Sequence, residues 1–210
     1  RPDLSPILDI LEEQGDEIFR DADSIALEID MDKEIVKRVF AFAEKYHKPV
    51  FAVVSNMSIA VERRDFLRSC ACFVCNQQEA GILFSEDYEG KTPAELETVL
   101  SHHVQAAALP GIVVTMGEQG AVYATLDGER GWCPAKRVDV KDTTGAGDAF
   151  FAGVTMGLTY GKTLAESCTI GARLAASVIC TSENVCPRFL PSEFGLKAPD
   201  SDDGQLALEL

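Results

Sequence analysis

The sequence predicts an α/β protein: a three-layer sandwich built on a mainly parallel sheet with helices on both faces. Three observations predict it. Apolar runs of strand length alternate with longer segments of helical period. Several of those runs are apolar throughout, as strands covered on both faces are. Hydrophobic residues make up 46% and charged residues 25% of the 210 residues, so one sizeable core can form without disulfide staples.

The elements follow in order. Ser24–Ile29 reads as a strand. Residues 32–46 place Ile35, Val36, Val39, Phe40, Ala43 and Tyr46 on one helical face. Pro49–Val54 is a short buried strand. Ser58–Arg68 reads as one helix with Ser58 as its N-cap. Residues 72–75 form another buried strand. A helix over 92–107 starts at Thr92, with Pro93 at its first position and Glu95 completing a capping box. Residues 111–115 are a strand ending in a Gly-rich turn. Residues 121–125 and 131–135 form a hairpin about Asp127-Gly128. Arg137–Val140 reads as a further strand, and helices over 147–160 and 163–181 close the domain. The domain runs over residues 1–196. The tail, 197–210, is rich in Asp, Pro and Gly and is expected to be disordered.

A formal net charge of −15 repels a phosphate backbone and argues against nucleic acid as a partner, while leaving room for a small local nucleotide site. No apolar run reaches bilayer length and no signal peptide opens the chain, so a cytoplasmic protein without a membrane partner is expected. The first residue is Arg1, which suggests a fragment or a processed chain. Seven cysteines sit mostly in apolar runs, as buried reduced thiols do. Cys70, Cys72 and Cys75 match no zinc spacing.

In a parallel sheet, ligands bind at the carboxyl ends of the strands, and three motifs stand there. Asp142-Thr-Thr-Gly-Ala-Gly-Asp148 lies between an expected strand and a helix. The helix end offers free N–H groups and partial positive charge. Gly145, Ala146 and Gly147 let an anion approach the backbone. Asp148 would repel that anion unless it takes the proton of a hydroxyl that attacks it. A Gly-rich turn with a favourable first-turn carboxylate is the simpler alternative for a bare Gly-Ala-Gly.

The longer run over 142–153, Asp-Thr-Thr-Gly-Ala-Gly-Asp-Ala-Phe-Phe-Ala-Gly, resembles the C-terminal signature of the ribokinase-like (PfkB-type) carbohydrate kinases. The resemblance implies a ribokinase-like fold and phosphoryl transfer from ATP to a hydroxyl of a small sugar or nucleoside. In it, Asp148 is the base and 145–147 form the anion hole. It also gives meaning to two shorter motifs. Asn76-Gln-Gln-Glu79 is similar to the family's Asn-x-x-Glu, which implies Glu79 near Mg2+ through water and Asn76 near phosphate. On its own that segment reads as a capped helix start. Thr115-Met-Gly-Glu-Gln-Gly120 is similar to a nucleotide-contacting Thr-x-Gly-x-x-Gly, which implies roles for Thr115, Gly117 and Gly120. On its own it reads as a hairpin turn. Asp142 and Thr144 resemble positions that hold a monovalent cation, K+ in many members. The helix over 169–181 should line the adenine pocket, with Arg173 where a smaller polar residue often stands. The stretch Val53-Val-Ser-Asn-Met57 is similar to the pseudouridine kinase branch.

The resemblance spans about Ala22 to Leu196 and matches the later part of the family's fold. The first Gly-Gly signature and the N-terminal lid region are absent, and with them the segments that choose substrate and form a homodimer contact in the family. Three rival functions remain. A nicotinamide dinucleotide-binding enzyme would use Gly145, Gly147 and Glu166, but Phe150 stands where its third small residue belongs. A P-loop at Gly157–Thr163 has one residue too few between its glycines. A non-catalytic, regulatory kinase-like module would have no need of Asp148. His47, His102 and His103 read as surface residues.

Overall fold

A computed structural model describes residues 3–54, 57–182, 186 and 189–196. The expected tail over 197–210 and the pair Ser55-Asn56 lie outside the described residues. The chain falls into two compact units that part between Val138 and Asp139.

The first unit opens on a helix that is not among those expected from the sequence, α1 (Ser5–Asp21), with Pro6 in its first turn. Leu11, Gly15 and Phe19 are buried at a spacing of four. Gly15 is needed there: a Cβ would stand 2.3 Å from Cζ of Phe42. The Phe42 ring also stacks on Phe19 at 4.9 Å. β1 (Ile25–Glu28) leads to α2 (Lys33–Lys45), capped by Asp32, whose carboxylate accepts from the amides of Glu34 and Ile35. β2 (Val50–Val53) follows.

The single helix expected over 58–68 is two, α3 (Met57–Glu62) and α4 (Arg64–Ser69). Ser58 therefore lies inside α3 and not before its first residue. The break is at Arg63, which leaves helical geometry at φ −122°, ψ 58°. Its guanidinium binds Asp65 and lies 3.8 Å from the centre of the Phe66 ring. Those side-chain contacts compete with helix continuation.

β3 (Cys72–Asn76), α5 (Gln77–Phe84), α6 (Pro93–Ala107), β4 (Gly111–Thr115), β5 (Ala121–Thr125) and β6 (Arg130–Cys133) complete the unit. The expected capping box of α6 is present between Thr92 and Glu95. The six strands pair in chain order, β1 to β4 parallel and β4–β5–β6 antiparallel. Because each crossover joins adjacent strands in one direction, right-handed connections bring its helices to one face. One core results, in which Ile35, Val39, Leu67, Leu83, Leu96 and Leu100 pack on Leu27, Ala52, Phe73, Ile112 and Val122.

The strand expected at Arg137–Val140 does not form. Among the described residues the sheet ends at β6, and Val138 and Val140 are exposed. Their alternation with charged residues imitates a strand, but no ladder partner accompanies it.

The second unit is a helix pair, α7 (Ala146–Thr159) and α8 (Leu164–Ile179), with a 3-10 turn at Pro191–Phe194. Gly161, at φ +72°, ends the first helix, and a Thr163–Glu166 capping box starts the second. The two helices approach through glycines. A Cβ on Gly153 would lie 2.6 Å from Cα of Gly171, and one on Gly157 would lie 2.4 Å from Oγ of Ser167. Ile170, Leu174 and Leu196 form this unit's buried cluster. The P-loop and nicotinamide alternatives lose their residues here, since Gly157 serves helix packing and Thr163 and Glu166 serve a cap.

Cys70, Cys72 and Cys75 are buried, and burial pushes all three thiols up, Cys72 to about 12. No described helix is long and apolar enough to cross a membrane.

Candidate functional site

In the first unit the parallel strands β1 to β4 end on a common edge. Asp30 follows β1, Asn76 and Glu79 lie at the β3–α5 junction, Thr115 ends β4, and residues 116–120 follow it. Strand geometry therefore brings together the two shorter motifs, as the sequence order implies.

Asn76 and Glu79 bind each other. Asn76 Oδ1 accepts from the Glu79 amide at 2.8 Å, and Glu79 Oε2 accepts from the Asn76 amide at 2.7 Å. The capping box weighed as the simpler reading of this segment is therefore present, and it fixes the carboxylate at the head of α5. Glu79 is half-buried. Burial, and in smaller part the charge of Asp30, raise its carboxyl pKa, against the lowering effect of the Asn76 amide. Asp30 was not singled out from sequence, although the strand-end rule that flagged Asn76 applies equally to the end of β1. Among the described residues no group of three or more His, Cys, Asp or Glu could hold a metal.

The raised pKa has a consequence for stability. An acid held above its unfolded pKa favours the fold while protonated, and that contribution is lost as pH rises through the folded value. We expect Glu79→Gln, measured without metal, to unfold at a higher temperature than the parent at neutral pH. The difference should vanish on acidification below the ordinary glutamate value of 4.5. A constant difference across that range would contradict the assignment.

Thr115 is half-buried at the end of β4, its Oγ 3.5 Å from the Cys75 carbonyl. Beyond it runs a 3-10 turn, Gly117–Gln119, closed by the Met116 amide on the Gly120 carbonyl at 2.7 Å. Gly117 has φ +58° with nothing within 4 Å of where a Cβ would stand. Gly120 is different. At φ +97° a Cβ would lie 2.0 Å from the Cys133 carbonyl, so the glycine is demanded by the passing chain. The exposed Trp132 on β6 donates its indole N–H to the Gln119 carbonyl at 2.7 Å.

In the second unit the segment over 142–148 leads directly into α7, without the strand expected before it. Asp142 Oδ1 accepts from the amide of Thr144 at 2.9 Å and from its hydroxyl at 2.8 Å. These bonds, the amide first, hold the Asp142 carboxyl below the usual range. Gly145 caps α7 in the left-handed region at φ +79°, and the Ala146 amide bonds to the Thr143 carbonyl at 3.2 Å. Gly147 and Asp148 are exposed in the first helical turn. A Cβ on Gly147 would meet nothing within 4 Å, and its φ is not positive. Neither packing nor backbone conformation requires glycine there. The turn thus presents an amide-rich helix end, a position kept free of side chain, and a carboxylate beside them.

Arg173, left without a role by the sequence, bonds through Nη2 to the Glu193 carbonyl at 3.0 Å and lies 4.3 Å from the centre of the Phe194 ring. It fastens the 3-10 turn to α8. His102 is exposed as expected. His103 is half-buried instead: it stacks on Phe84 at 4.5 Å and stands 3.1 Å from a Glu86 carboxylate oxygen.

Comparison with known proteins adds the following. Residues 9–187 match the family described as pfkB family carbohydrate kinase. The guanosine-inosine kinase of Exiguobacterium acetylicum is 31% identical over 185 residues, which cover 88% of this chain and 60% of that protein. The ribokinase of Schizosaccharomyces pombe is 31% identical over 137 residues, 63% of this chain and 42% of its own. A solved structure described as a probable sugar kinase from Rhizobium etli superposes with a TM-score of 0.73 at 26% identity. It is matched over 89% of this chain and 58% of its own. The chain thus spans about 60% of the length of the first of these relatives.

Proposed function

The chain belongs to the pfkB family of carbohydrate kinases, and on that premise we propose that the protein transfers the γ-phosphate of ATP to a hydroxyl of a small sugar or nucleoside. The observation that carries the reading is the turn into α7, where Asp148 stands exposed beside a helix end whose Gly147 needs no glycine for its own fold. Asp148 takes the proton of the attacking hydroxyl. The backbone at Gly145, Ala146 and Gly147 stabilises charge on the transferring group. Since Thr143 engages the Ala146 amide, the Gly145 and Gly147 amides carry the larger share. No covalent intermediate is required.

In the same reading Thr115, Gly117 and Gly120 contact the nucleotide, and Asn76 lies near its phosphates. The half-buried Glu79, its carboxyl pKa raised by burial and by Asp30, suits a nearby cation. Glu79 would hold Mg2+ through water, and the ion would supply charge neutralisation at the phosphates. Asp142 and Thr144 are the pair assigned to K+. The 31% identity to a guanosine-inosine kinase over most of the chain favours nucleosides for the first trials. No nucleic-acid or membrane partner is proposed, and a cytoplasmic location fits an ATP-dependent activity.

The test is to incubate the complete protein with radiolabelled MgATP and, separately, guanosine, inosine and ribose, and to look for a phosphorylated product. Absence of product from every acceptor tried, together with absence of MgADP binding, would sink the reading. Gly147→Ala is the sharper variant. Alanine in a helix favours the fold by up to about 1 kcal/mol over glycine, so thermal stability should hold or rise. Turnover should nevertheless fall on the order of 100-fold as the added methyl displaces the anion. Unchanged turnover would show that the open side of Gly147 is not used.

A further inference from the structure

Trp132 is the chain's only tryptophan, and it stands on the edge strand of the sheet with 49% of its surface exposed. An aromatic of that size gains from burial, so its exposure calls for a physical account. Three features of the fold bear on it. Register pairs Val114 with Val122 and Val122 with Trp132, one step inside the Thr115, Ala121, Cys133 row. β6 therefore runs parallel to β4, and Trp132 stands at the carboxyl edge beside the 115–120 turn. Second, the indole N–H donates to the Gln119 carbonyl at 2.7 Å. That bond satisfies the ring's one donor and fastens the ring to the turn, so little rotamer freedom is left to lose. Third, the turn is open at Gly117, where a Cβ would meet nothing within 4 Å.

We infer that Trp132 is the stacking platform for the purine base of the bound nucleotide, an inference that rests on reading residues 115–120 as a nucleotide contact. A ring whose N–H is already bonded offers a ligand its π face and apolar edge. A flat base can use both without hydrogen-bond readout. The carbonyl bond holds that face in place before the nucleotide arrives.

The test uses the complete protein with two probes, MgADP and magnesium tripolyphosphate, the second carrying phosphates but no base. Trp132→Ala should weaken MgADP binding about tenfold, the scale of one base–aromatic stack, and leave tripolyphosphate binding unchanged. Trp132→Phe, which keeps a stacking face, should retain most of the affinity. In the parent protein, indole emission should change along the same isotherm that calorimetry gives for MgADP. Equal losses for both probes would show that the ring merely supports the turn and would overturn the inference. So would an emission that follows protein concentration and ignores MgADP, which marks a protein contact. If the parent binds tripolyphosphate and MgADP equally well, the base has no platform and the inference fails while the phosphotransferase reading stands. If it binds neither, that reading fails and this inference with it.

Discussion

Asp148→Asn should lower the rate of phosphoryl transfer by about 10² to 10⁴, the range general-base catalysis supplies. Asparagine matches aspartate in shape and keeps a hydrogen-bonding oxygen in the first turn of α7, but it cannot accept the hydroxyl proton. The change also removes a negative charge from a helix N-terminus, which costs about 0.3–1 kcal/mol on an exposed surface. That is far too little to unfold the protein, so lost activity and lost fold separate cleanly. The measurement is single-turnover product formation with guanosine, inosine or ribose as acceptor, beside MgADP binding by calorimetry. Binding should survive. A variant that transfers phosphate at the parent rate would remove Asp148 from the chemistry and favour a non-catalytic, regulatory role for the chain.

The second large effect is on stability. Gly153→Ala puts a methyl 2.6 Å from Cα and 2.7 Å from N of Gly171. Both are backbone atoms of the facing helix, so no side chain can turn aside. Alanine's helix preference contributes about 1 kcal/mol in the opposite direction, against roughly 1–3 kcal/mol or more for overpacking a tight contact. With backbone on both sides the upper end applies, and the variant should lose about 2 kcal/mol, a fall in Tm of roughly 4–8 °C. Gly171→Ala should behave alike, since its Cβ would lie 2.7 Å from the Phe150 carbonyl. The same chemical change at Gly147 is predicted to leave stability intact. Differential scanning calorimetry of the three variants tests the contrast, and equal shifts would refute it.

Much of the sheet could be read from the chain because its strands are short, apolar and separated by strong caps. Asp32, Asn76, Thr92 and Thr163 each start a helix where the residue chemistry says one can start. The failures share a cause. Val138 and Val140 alternate like strand residues, but alternation says nothing about whether a ladder partner exists. Arg63 breaks a helix through contacts with Asp65 and Phe66 that periodicity does not register. In α1, Gly15 counts against a helix on propensity, and only the Phe42 ring beside it explains the glycine. The partial burial of His103 depends on Phe84 and Glu86, which reach it from outside its own helix.

The candidate site divides along the same line. The motif over 142–148 was legible because its residues are contiguous and their chemistry is local. Asp30 was not, since its relation to Glu79 depends on strands pairing across more than forty residues. Nor was Trp132, whose bond to Gln119 requires the hairpin to close. Gly117 and Gly120 look alike in the sequence, yet one faces open space and the other is pressed against Cys133.

The capping box at Asn76 and Glu79 also carries a thermodynamic implication for ligand capture. A free glutamate samples many rotamers, and immobilising such a side chain on binding typically costs about 0.5–1.5 kcal/mol. Here the Asn76 amide already holds one carboxylate oxygen of Glu79 at 2.7 Å. The ordering entropy is therefore settled when α5 folds, long before any cation or phosphate arrives, and the first turn of that helix serves as the preorganising element of the edge it sits on.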